Sequence, residues 1–438
     1  MIPLLRRLVA AALALAIAVP LPVAALAQQA VTPSQRVTRN VVVRQAPTAA
    51  SPALDRLVPG AVLPLIADGP DWYRVRLPDG QDGFVSKAWT DLSGAALVAG
   101  GKTFKVHVID VGTGLAVFVE GDDFALLYDA GSQDDLAQGQ NRVVAYIKAV
   151  RPNLRVLDHV ILSHPHKDHV ELMPGVFDAF QVLNVWESGR VNPTAGYCNF
   201  LKKVVAEGAV YHDAIASNAE RVATFKGQTC PGGVRLKEGP MMTAAPVRLG
   251  QDAQMTLLYR DAHPYSDPNG NSVVTRLDLG ARRLLLAGDA EGGDRPPPGD
   301  AAAAERMARS GTLTDSSIEA KLIAENRAAL AADLLVVGHH GSLTSSRPAF
   351  LDAVGAKIFV ISSGPHPYQS VRLPDPAVVK VLTERGKVYR TDLDDEACGS
   401  DPAKPGQDDD ERPGGCSNVL ITITPQAPLA VAYVKPVD

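Results

Sequence analysis

The chain has 438 residues, is 46% hydrophobic and carries a formal net charge of −5. This composition excludes a disordered chain, and the charge argues against a surface that coats nucleic acid, which needs clustered Lys and Arg. Two or three domains are expected from the length. A nucleic-acid substrate stays open, because a metal site can supply positive charge locally.

Residues 1–27 are typical of an export signal. Arg6 and Arg7 precede an apolar run from Leu8 to Val19, and Ala25-Leu26-Ala27 has the form of a cleavage site. An uncleaved anchor is the alternative, although the run is short for a bilayer span. We therefore expect a periplasmic or secreted protein with no transmembrane anchor after cleavage, beginning with a linker at residues 28–35.

Residues 36–93 consist of short β-branched runs separated by turn signals such as Asp79-Gly80, a pattern that predicts a small all-β domain. The stretches VVVRQAP, DWYRVRLPDG and GFVSKAW make this segment similar to the bacterial SH3-like domain. The resemblance implies a small barrel that binds a cell-wall or protein ligand. Trp72, Tyr73 and Trp89 either line its groove or belong to the core and rim of a spacer.

From Phe104 onward, strand patterns alternate with helix patterns, which predicts a layered α/β domain. The predicted strands are FKVHVIDV, AVFVEG, FALLYDAG, HVILSHP, VLNVWES, ADLLVVGHH and AKIFVISSG. The predicted helices are RVVAYIKAV, SIEAKLIAENRAALAA and PAVVKVLTERG. The Pro-, Gly- and Ala-rich segment 291–316 predicts an inserted loop or a mobile flap.

Candidate metal ligands follow three of these predicted strands. The motif LSHPHKDH offers His164, His166, Asp168 and His169 in a loop just past a strand end, where functional residues concentrate. Asp289 follows a strand and a glycine in LLLAGDA, and His339 and His340 do the same in LLVVGHHGS. Imidazole ligands suit zinc, and the carboxylate extends the choice to manganese or iron; we favour zinc or manganese. The pattern predicts two neighbouring divalent ions.

These motifs, together with VIDVGTGLAVFVEG, LLYDAGS and NGNSVV, resemble the metallo-β-lactamase fold. More narrowly, they resemble the soluble hydrolase domain of ComEC-type DNA-uptake competence proteins. The resemblance implies an α/β fold, an αββα sandwich over residues 103–396, preceded by the small all-β SH3-like barrel. Asp129 would orient the histidine loop, and its alternative is a turn-forming carboxylate.

The resemblance also implies how the ligands divide. His164 and His166 would bind the first ion, Asp168 and His169 the second, and Asp289 would bridge them. One of His339 and His340 would complete the second site, and we favour His339 because it is the first polar residue after the strand and glycine.

The sequence departs from the family at three places. The family's additional middle histidine has no clear counterpart, since His212 and His263 do not follow a strand and glycine. The motif DVGTGL has Thr113 and Leu115 where polar residues are usual. Leu373-Pro374 stands where the family has His-Pro, with His366 as a candidate substitute. These changes affect the prediction of the substrate more than the prediction of metal binding.

The predicted chemistry is hydrolysis at a two-metal site. Asp168 and Asp289, the candidate catalytic carboxylates, cancel only part of the charge of two divalent ions, so the site suits an anionic substrate, possibly nucleic acid. A metal-bound water with its pKa lowered to about 7 supplies hydroxide. Ser342 either donates a hydrogen bond to a substrate oxygen or caps a helix.

Our leading hypothesis is an exported metal-dependent phosphodiesterase or nuclease-like hydrolase. The alternatives are a lactamase or lactonase of the same fold, and a cell-envelope binding protein led by the SH3-like module.

The four cysteines allow three disulfide pairings, and export permits disulfides. Proximity in the sequence favours Cys198 with Cys230 and Cys398 with Cys416. The second bridge would close a loop in the C-terminal segment 397–438, which ends in a final strand.

Overall fold

The computed structural model of the protein describes residues 30–34, 36–37, 40–57, 63–77, 81–93, 102–134, 141–215, 220–227, 229–368, 370–393, 417–424 and 428–434. The predicted export signal and the predicted Cys398–Cys416 bridge lie outside these residues. Within the described part of the chain, no helix combines the length and the apolar content that crossing a membrane requires.

The N-terminal region is a seven-stranded antiparallel sheet with the strand order β3-β2-β6-β5-β4-β1-β7. Its strands are β1 Ala30–Pro33, β2 Val41–Arg44, β3 Ala53–Leu57, β4 Leu63–Asp68, β5 Trp72–Arg76, β6 Asp82–Ser86 and β7 Thr90–Ser93. Val43, Val75 and Val85 are fully buried in its own core. The expected linker at residues 28–35 is wrong in part, because residues 30–33 form β1 and pair with both β4 and β7.

The larger region begins at β8 and contains two sheets. The first sheet has eight strands in the order β13-β12-β11-β10-β9-β8-β23-β24. These strands are β8 Phe104–Val108, β9 Val117–Glu120, β10 Ala125–Tyr128, β11 Val156–Ile161, β12 Gln181–Trp186, β13 Val210–His212, β23 Asn418–Ile423 and β24 Ala430–Val434. The expectation of one final strand in a separate C-terminal segment is wrong. The C-terminal residues form a hairpin, and β23 pairs antiparallel with β8.

The second sheet has seven strands in sequence order from β16 to β22. They are β16 Val247–Gly250, β17 Ala253–Tyr259, β18 Val274–Leu279, β19 Arg282–Leu286, β20 Leu334–Val336, β21 Ile358–Ile361 and β22 Lys387–Arg390. The strands β14 Glu220–Ala223 and β15 Val234–Lys237 form a separate hairpin. In the sequence, this hairpin lies between β13 of the first sheet and β16 of the second.

The eight α-helices of the described residues are α1 Arg142–Val150, α2 Lys167–Val170, α3 Met173–Ala179, α4 Ala195–Glu207, α5 Ala301–Ser310, α6 Ile318–Asn326, α7 Pro348–Val354 and α8 Pro376–Arg385. The sequence-predicted helices RVVAYIKAV and PAVVKVLTERG are confirmed as α1 and α8. Residues 291–316, expected to be a loop or flap, instead contain α5, which packs against α8.

Three apolar clusters show the layering of this region. One lies between the two sheets and joins residues such as Leu126 to residues such as Leu284. A second packs α1, α3 and α4 on the outer face of the first sheet, and a third packs α6, α7 and α8 on the second. Strands β9 and β10 are therefore buried on both faces, which explains their continuous apolar sequence. The larger region is therefore a mixed α/β sandwich of two sheets with helices on both outer faces, and an all-β region precedes it.

The structure joins Cys198 of α4 to Cys230 in a disulfide with a Cα–Cα distance of 6.0 Å. Both cysteines are buried against the helices of the first sheet. The bridge links α4 to the segment that precedes β15.

Candidate metal centre

Three chain segments bring the candidate ligands together at one edge of the two sheets. β11 ends at Ile161 and leads into the loop that carries His164 and His166 and into α2, which carries Asp168 and His169. In the second sheet, β19 ends at Leu286 just before Asp289, and β20 ends at Val336 just before a 3₁₀ turn at Gly338–Gly341.

The first ligand cluster consists of His164, His166 and Asp289, with one ligand atom from each within 4.8 Å of the others. The His164 Nε2 atom lies 3.0 Å from His166 Nδ1 and 3.7 Å from Asp289 Oδ2. Two imidazole nitrogens and a carboxylate oxygen therefore converge on one point.

The second cluster consists of Asp168, His169 and His340. The His340 Nε2 atom lies 3.4 Å from Asp168 Oδ2 and 3.7 Å from Asp289 Oδ1. His169 Nε2 lies 3.3 Å from the same Asp289 Oδ1. Asp289 thus directs Oδ2 towards the first cluster and Oδ1 towards the second, which is the arrangement of a bridging carboxylate.

Unpartnered buried atoms test whether these residues fit metal ions. His169 Nε2, His340 Nε2 and Asp289 Oδ1 are all buried and have no hydrogen-bond partner. Leaving such polar atoms without partners costs about 1–3 kcal/mol each. Since imidazole nitrogens and carboxylate oxygens are ligands of zinc and manganese, divalent ions fit this donor set and would satisfy these atoms.

Asp129 holds the second cluster in position. Its fully buried Oδ2 accepts hydrogen bonds from His169 Nδ1–H at 2.8 Å and from Ser163 Oγ–H at 2.6 Å. Its Oδ1 accepts a bond from the Ser163 backbone N–H at 2.6 Å. A carboxylate on the far nitrogen fixes the tautomer of a ligating histidine, so that the His169 Nε2 lone pair faces the ligand cluster.

Opposite charges in the cluster keep its carboxylates ionised. Burial opposes the charged form of Asp289, yet the imidazoles of His169, His340 and His339 hold the pKa of this carboxyl well below its ordinary value. Burial also lowers the pKa of His164 well below its usual range. His164 is therefore neutral, with a nitrogen lone pair available.

His340, and not the His339 favoured from the sequence, lies beside Asp168. His340 Nδ1–H donates to the Ser362 carbonyl at 2.9 Å, which turns Nε2 towards the second cluster. His339 Nε2 instead lies 3.8 Å from Asp289 Oδ2, the oxygen that faces the first cluster. Both histidines have left-handed backbones, with φ of 49° and 52°, and their ring centroids are 6.3 Å apart. This unusual backbone sends two adjacent side chains to different sides of Asp289.

The structure does not bring every candidate residue to the centre. Ser342 is buried in the turn, where its Oγ accepts bonds from Thr344, and its expected contact with a substrate oxygen stays a prediction. His212 stacks on Trp186 with centroids 3.8 Å apart, and His263 is exposed. Neither replaces the missing middle histidine.

The departures in DVGTGL and Leu373-Pro374 have structural explanations. Leu115 is buried in the cluster between the sheets, and the Thr113 hydroxyl oxygen accepts a bond from the His366 backbone N–H at 2.8 Å. His366 thus supports a loop and belongs to neither ligand cluster. Leu373 is buried.

Sequence reasoning missed Tyr368 and Ser272. The Tyr368 hydroxyl donates to Asp168 Oδ2 at 2.5 Å, and its ring stacks on His340 with centroids 5.9 Å apart. The Ser272 hydroxyl lies 3.5 Å from His164 Nδ1 and accepts the Asp289 backbone N–H at 3.1 Å. Ser272 lies within the NGNSVV motif, and that motif could have identified it as a site residue. No sequence motif around Tyr368 indicates its place at the site.

Two family descriptions match separate parts of the chain. The metallo-beta-lactamase superfamily matches residues 109–366, and the bacterial SH3 domain matches residues 39–91. These ranges fall in the two regions described above, the first spanning both ligand clusters.

A curated relative, named competence protein ComA, comes from Neisseria gonorrhoeae and is 27% identical over 290 residues. The match covers 66% of this chain and 31% of the relative, so this chain spans about a third of that protein's length.

Solved structures that the comparison finds similar to the chain include a metallo-beta-lactamase fold protein, YhfI, from Bacillus subtilis. It is 14% identical, with a TM-score of 0.35, and the match covers 66% of this chain and 97% of that chain. MEM-A1, a subclass B3 metallo-beta-lactamase from a soil metagenome library, is 17% identical with a TM-score of 0.31, covering 59% of this chain and 90% of that chain.

Proposed function

The chain belongs to the metallo-beta-lactamase superfamily, and from that premise we propose that it is an exported, metal-dependent phosphodiesterase. The observation that carries the proposal is the position of Asp289, which presents one carboxylate oxygen to each of two ligand clusters. The unpartnered buried atoms of His169 and His340 complete a donor set for two divalent ions, zinc or manganese.

The division of labour among the residues follows from their contacts. His164, His166 and Asp289 would hold one ion, and Asp168, His169, His340 and Asp289 would hold the other. When bound, the ions supply Lewis-acid chemistry and activate water. Asp129 and the Ser362 carbonyl orient His169 and His340, while Tyr368 holds Asp168 through its hydroxyl.

Two observations support a phosphodiester as the substrate. Two carboxylates offset only part of the charge of two divalent ions, so the loaded centre attracts an anion. The sequence resembles the competence-protein branch, and a relative is named a competence protein. Nucleic acid is accordingly among the substrates to test.

Hydrolysis of bis(p-nitrophenyl) phosphate tests the proposal. Metal-depleted protein is titrated with Mn²⁺ or Zn²⁺, and we expect turnover that rises with metal occupancy. The turnover of the Asp168→Ala variant should fall at least about 100-fold, because removing a metal ligand has a larger effect than removing a residue that only orients a ligand. Asp252→Asn, in an exposed turn, is the control and should keep full activity.

A fully loaded protein that hydrolyses no phosphodiester would contradict the proposal. Nitrocefin and lactone assays would then test the lactamase and lactonase alternatives of the same fold.

Export is supported by the Cys198–Cys230 disulfide, because disulfides persist mainly in oxidising compartments. Fractionation of cells that express the tagged chain, with and without residues 1–27, tests the predicted periplasmic or secreted location. Retention of the full-length chain in the cytosol would contradict it.

We further propose that the SH3-like region binds a cell-wall or protein ligand. Trp72 and Trp89 line a cavity of about 460 Å³ together with Arg36, and Trp89 is 53% exposed. Tyr73, in contrast, belongs to the core. Retention of the full chain on isolated peptidoglycan, with Trp89→Ala as the comparison, tests the cell-wall form of this proposal.

A further inference from the structure

The cavity of the SH3-like region contains two arginines beside its two tryptophans. Arg36 and Arg44 line this space of about 460 Å³ together with Trp72 and Trp89. Among the described residues, no carboxylate lines it. The cavity therefore carries an excess of positive charge, and the tryptophan rings give it an apolar part.

Neither cavity arginine forms an ion pair with a described residue, whereas other positive side chains of the same region do. Arg74 and Arg76 both pair with Asp82. Lys87 pairs with Asp68. The charges of the two cavity arginines are therefore available to a negatively charged ligand.

Backbone carbonyls hold both cavity guanidiniums in place. Arg36 Nη2–H donates to the Ala88 carbonyl oxygen at 2.6 Å, and Arg44 Nη1–H donates to the Ser51 carbonyl oxygen at 2.6 Å. The Arg36 guanidinium also lies over the Trp89 ring, 5.7 Å from its centroid. Since a guanidinium has five N–H donors, most of them remain for a ligand, and the fixed orientation reduces the entropy that binding costs.

The sheet is open beside the cavity. Over the described residues, β2 pairs with β3 along its length but with β6 only at Arg44 and Phe84. Val41 and Val42 of β2 and Ser86 of β6 line the cavity, which therefore lies at the gap between these strands. Because successive residues of a strand direct their backbone N–H and C=O groups to opposite sides, β2 presents backbone groups to this gap. An extended peptide forms hydrogen bonds with such groups as an added strand, which favours a peptide over a nucleic acid.

We propose that the SH3-like region binds an extended acidic segment of a partner protein in this cavity. The proposal rests on the binding role proposed above for this region and specifies its partner. Carboxylates of the segment would form bidentate pairs with Arg36 and Arg44, while its apolar groups pack on Trp89. Alternate residues of an extended segment lie on one face, so acidic residues two positions apart face the same wall of the cavity.

Two hexapeptides with blocked ends test the proposal by binding alone. One alternates alanine with glutamate, and the other has glutamine in place of each glutamate, so the two differ in charge and hardly in shape. Isothermal titration of the metal-loaded full chain measures both affinities. We expect the glutamate peptide to bind at least about tenfold more tightly, as charge-assisted hydrogen bonds imply.

The variants Arg36→Gln and Arg44→Gln locate this binding, because each removes one positive charge from the cavity. Each should weaken binding of the glutamate peptide about tenfold and leave that of the glutamine peptide unchanged. Arg56→Gln is the matched control, since Arg56 is exposed on the neighbouring strand β3 and does not line the cavity. Circular dichroism checks that all three variants are folded.

Equal affinity for the two peptides, or an equal loss in Arg56→Gln and in the cavity variants, overturns the assignment to an acidic segment. Tighter binding of single-stranded oligothymidylate, lost in the cavity variants, would assign the cavity to nucleic acid instead.

The peptidoglycan assay separates this assignment from the broader binding role. Retention that depends on Arg36 and Arg44, with equal affinity for the two peptides, assigns the cavity to the cell wall and overturns the protein partner alone. Absence of both peptide binding and retention overturns the binding role as well. None of these outcomes bears on the phosphodiesterase proposal.

Discussion

At the scale of single residues, the centre depends on backbone conformations that side chains seldom adopt. Asp129, His339 and His340 all have positive φ values, and all lie at the ligand clusters or directly behind them. Such positions cost about 1–3 kcal/mol each and persist where the surroundings hold them in place. Here hydrogen bonds from Ser163 and to Ser362 do so.

Replacing Asp129 with Asn should weaken metal binding by about 10–100-fold. The amide of Asn accepts at only one of the two oxygen positions, so either the Ser163 backbone N–H or the Ser163 hydroxyl and His169 lose their acceptor and face an NH₂ group instead. Competition titration with a chromogenic chelator measures the affinity. Asp252→Asn is a matched control, since Asp252 also has a positive φ but lies in an exposed turn. An affinity within twofold of the control would contradict the role of Asp129.

Replacing His339 with Ala should weaken one metal site, because its Nε2 approaches the same Asp289 oxygen as His164 does. His340→Ala should weaken the other site, where His340 faces Asp168. Binding isotherms with two resolved ions distinguish these effects, and we expect a loss of about tenfold or more for each. The exposed His263→Ala is the control; an isotherm of His339→Ala identical to it would show that His339 does not support the first site through Asp289.

At the scale of elements, the first sheet is completed from the far end of the chain. β23 pairs with β8, and the bonds from Ser417 N–H to Asp110 and from Asp110 N–H to Asn418 fix its register. Val419 and Ile421 of β23 are fully buried in the cluster between the two sheets. The C-terminal hairpin is therefore part of the hydrolase fold.

Replacing Ile421 with Ala should lower the free energy of unfolding by about 2–5 kcal/mol, because it leaves a cavity between the sheets. Thr422→Ala changes the neighbouring, partly exposed residue on the opposite face of the same strand and should cost about 0.5 kcal/mol or less. Chemical denaturation measures both. Equal, small effects would mean that the hairpin packs only loosely on the fold.

At the scale of the whole molecule, apolar cores and metal ligands are distributed unevenly. The SH3-like region has its own core, and the six clustered ligands all belong to the larger region. An ion that binds only the folded state stabilises the region that holds it. The two regions should therefore respond differently to metal.

Metal loading should raise the unfolding temperature of the larger region and leave that of the SH3-like region unchanged. A free metal concentration of 100 times the dissociation constant stabilises the folded state by about 2.7 kcal/mol per site. Calorimetry of the full chain with metal and with a chelator measures the shift, which Asp289→Ala should greatly reduce. Equal shifts of all transitions would show that the chain unfolds as one cooperative unit.

Local sequence patterns were sufficient for elements whose periodicity and end signals lie within a few residues. Helix α1 starts where Asn141 caps it, and the predicted range matches the observed one. The apolar strand that precedes the histidine loop located His164, and strands followed by a glycine located Asp289 and the His339–His340 pair. Helix α5 was not predicted, because Pro and Gly dominate the segment that flanks it.

The sequence by itself determined the two regions and the set of candidate ligands, because hydrophobic runs and motif spacing are local properties of the chain, whereas the fold family followed from the resemblance of its motifs to a known family. Only the tertiary structure decided which histidine faces which cluster, that Tyr368 bonds Asp168 from 200 residues away, and that the chain's end completes the first sheet. Those contacts arise from the packing of distant segments, and their geometry depends on backbone angles at His339 and His340 that no local pattern specifies.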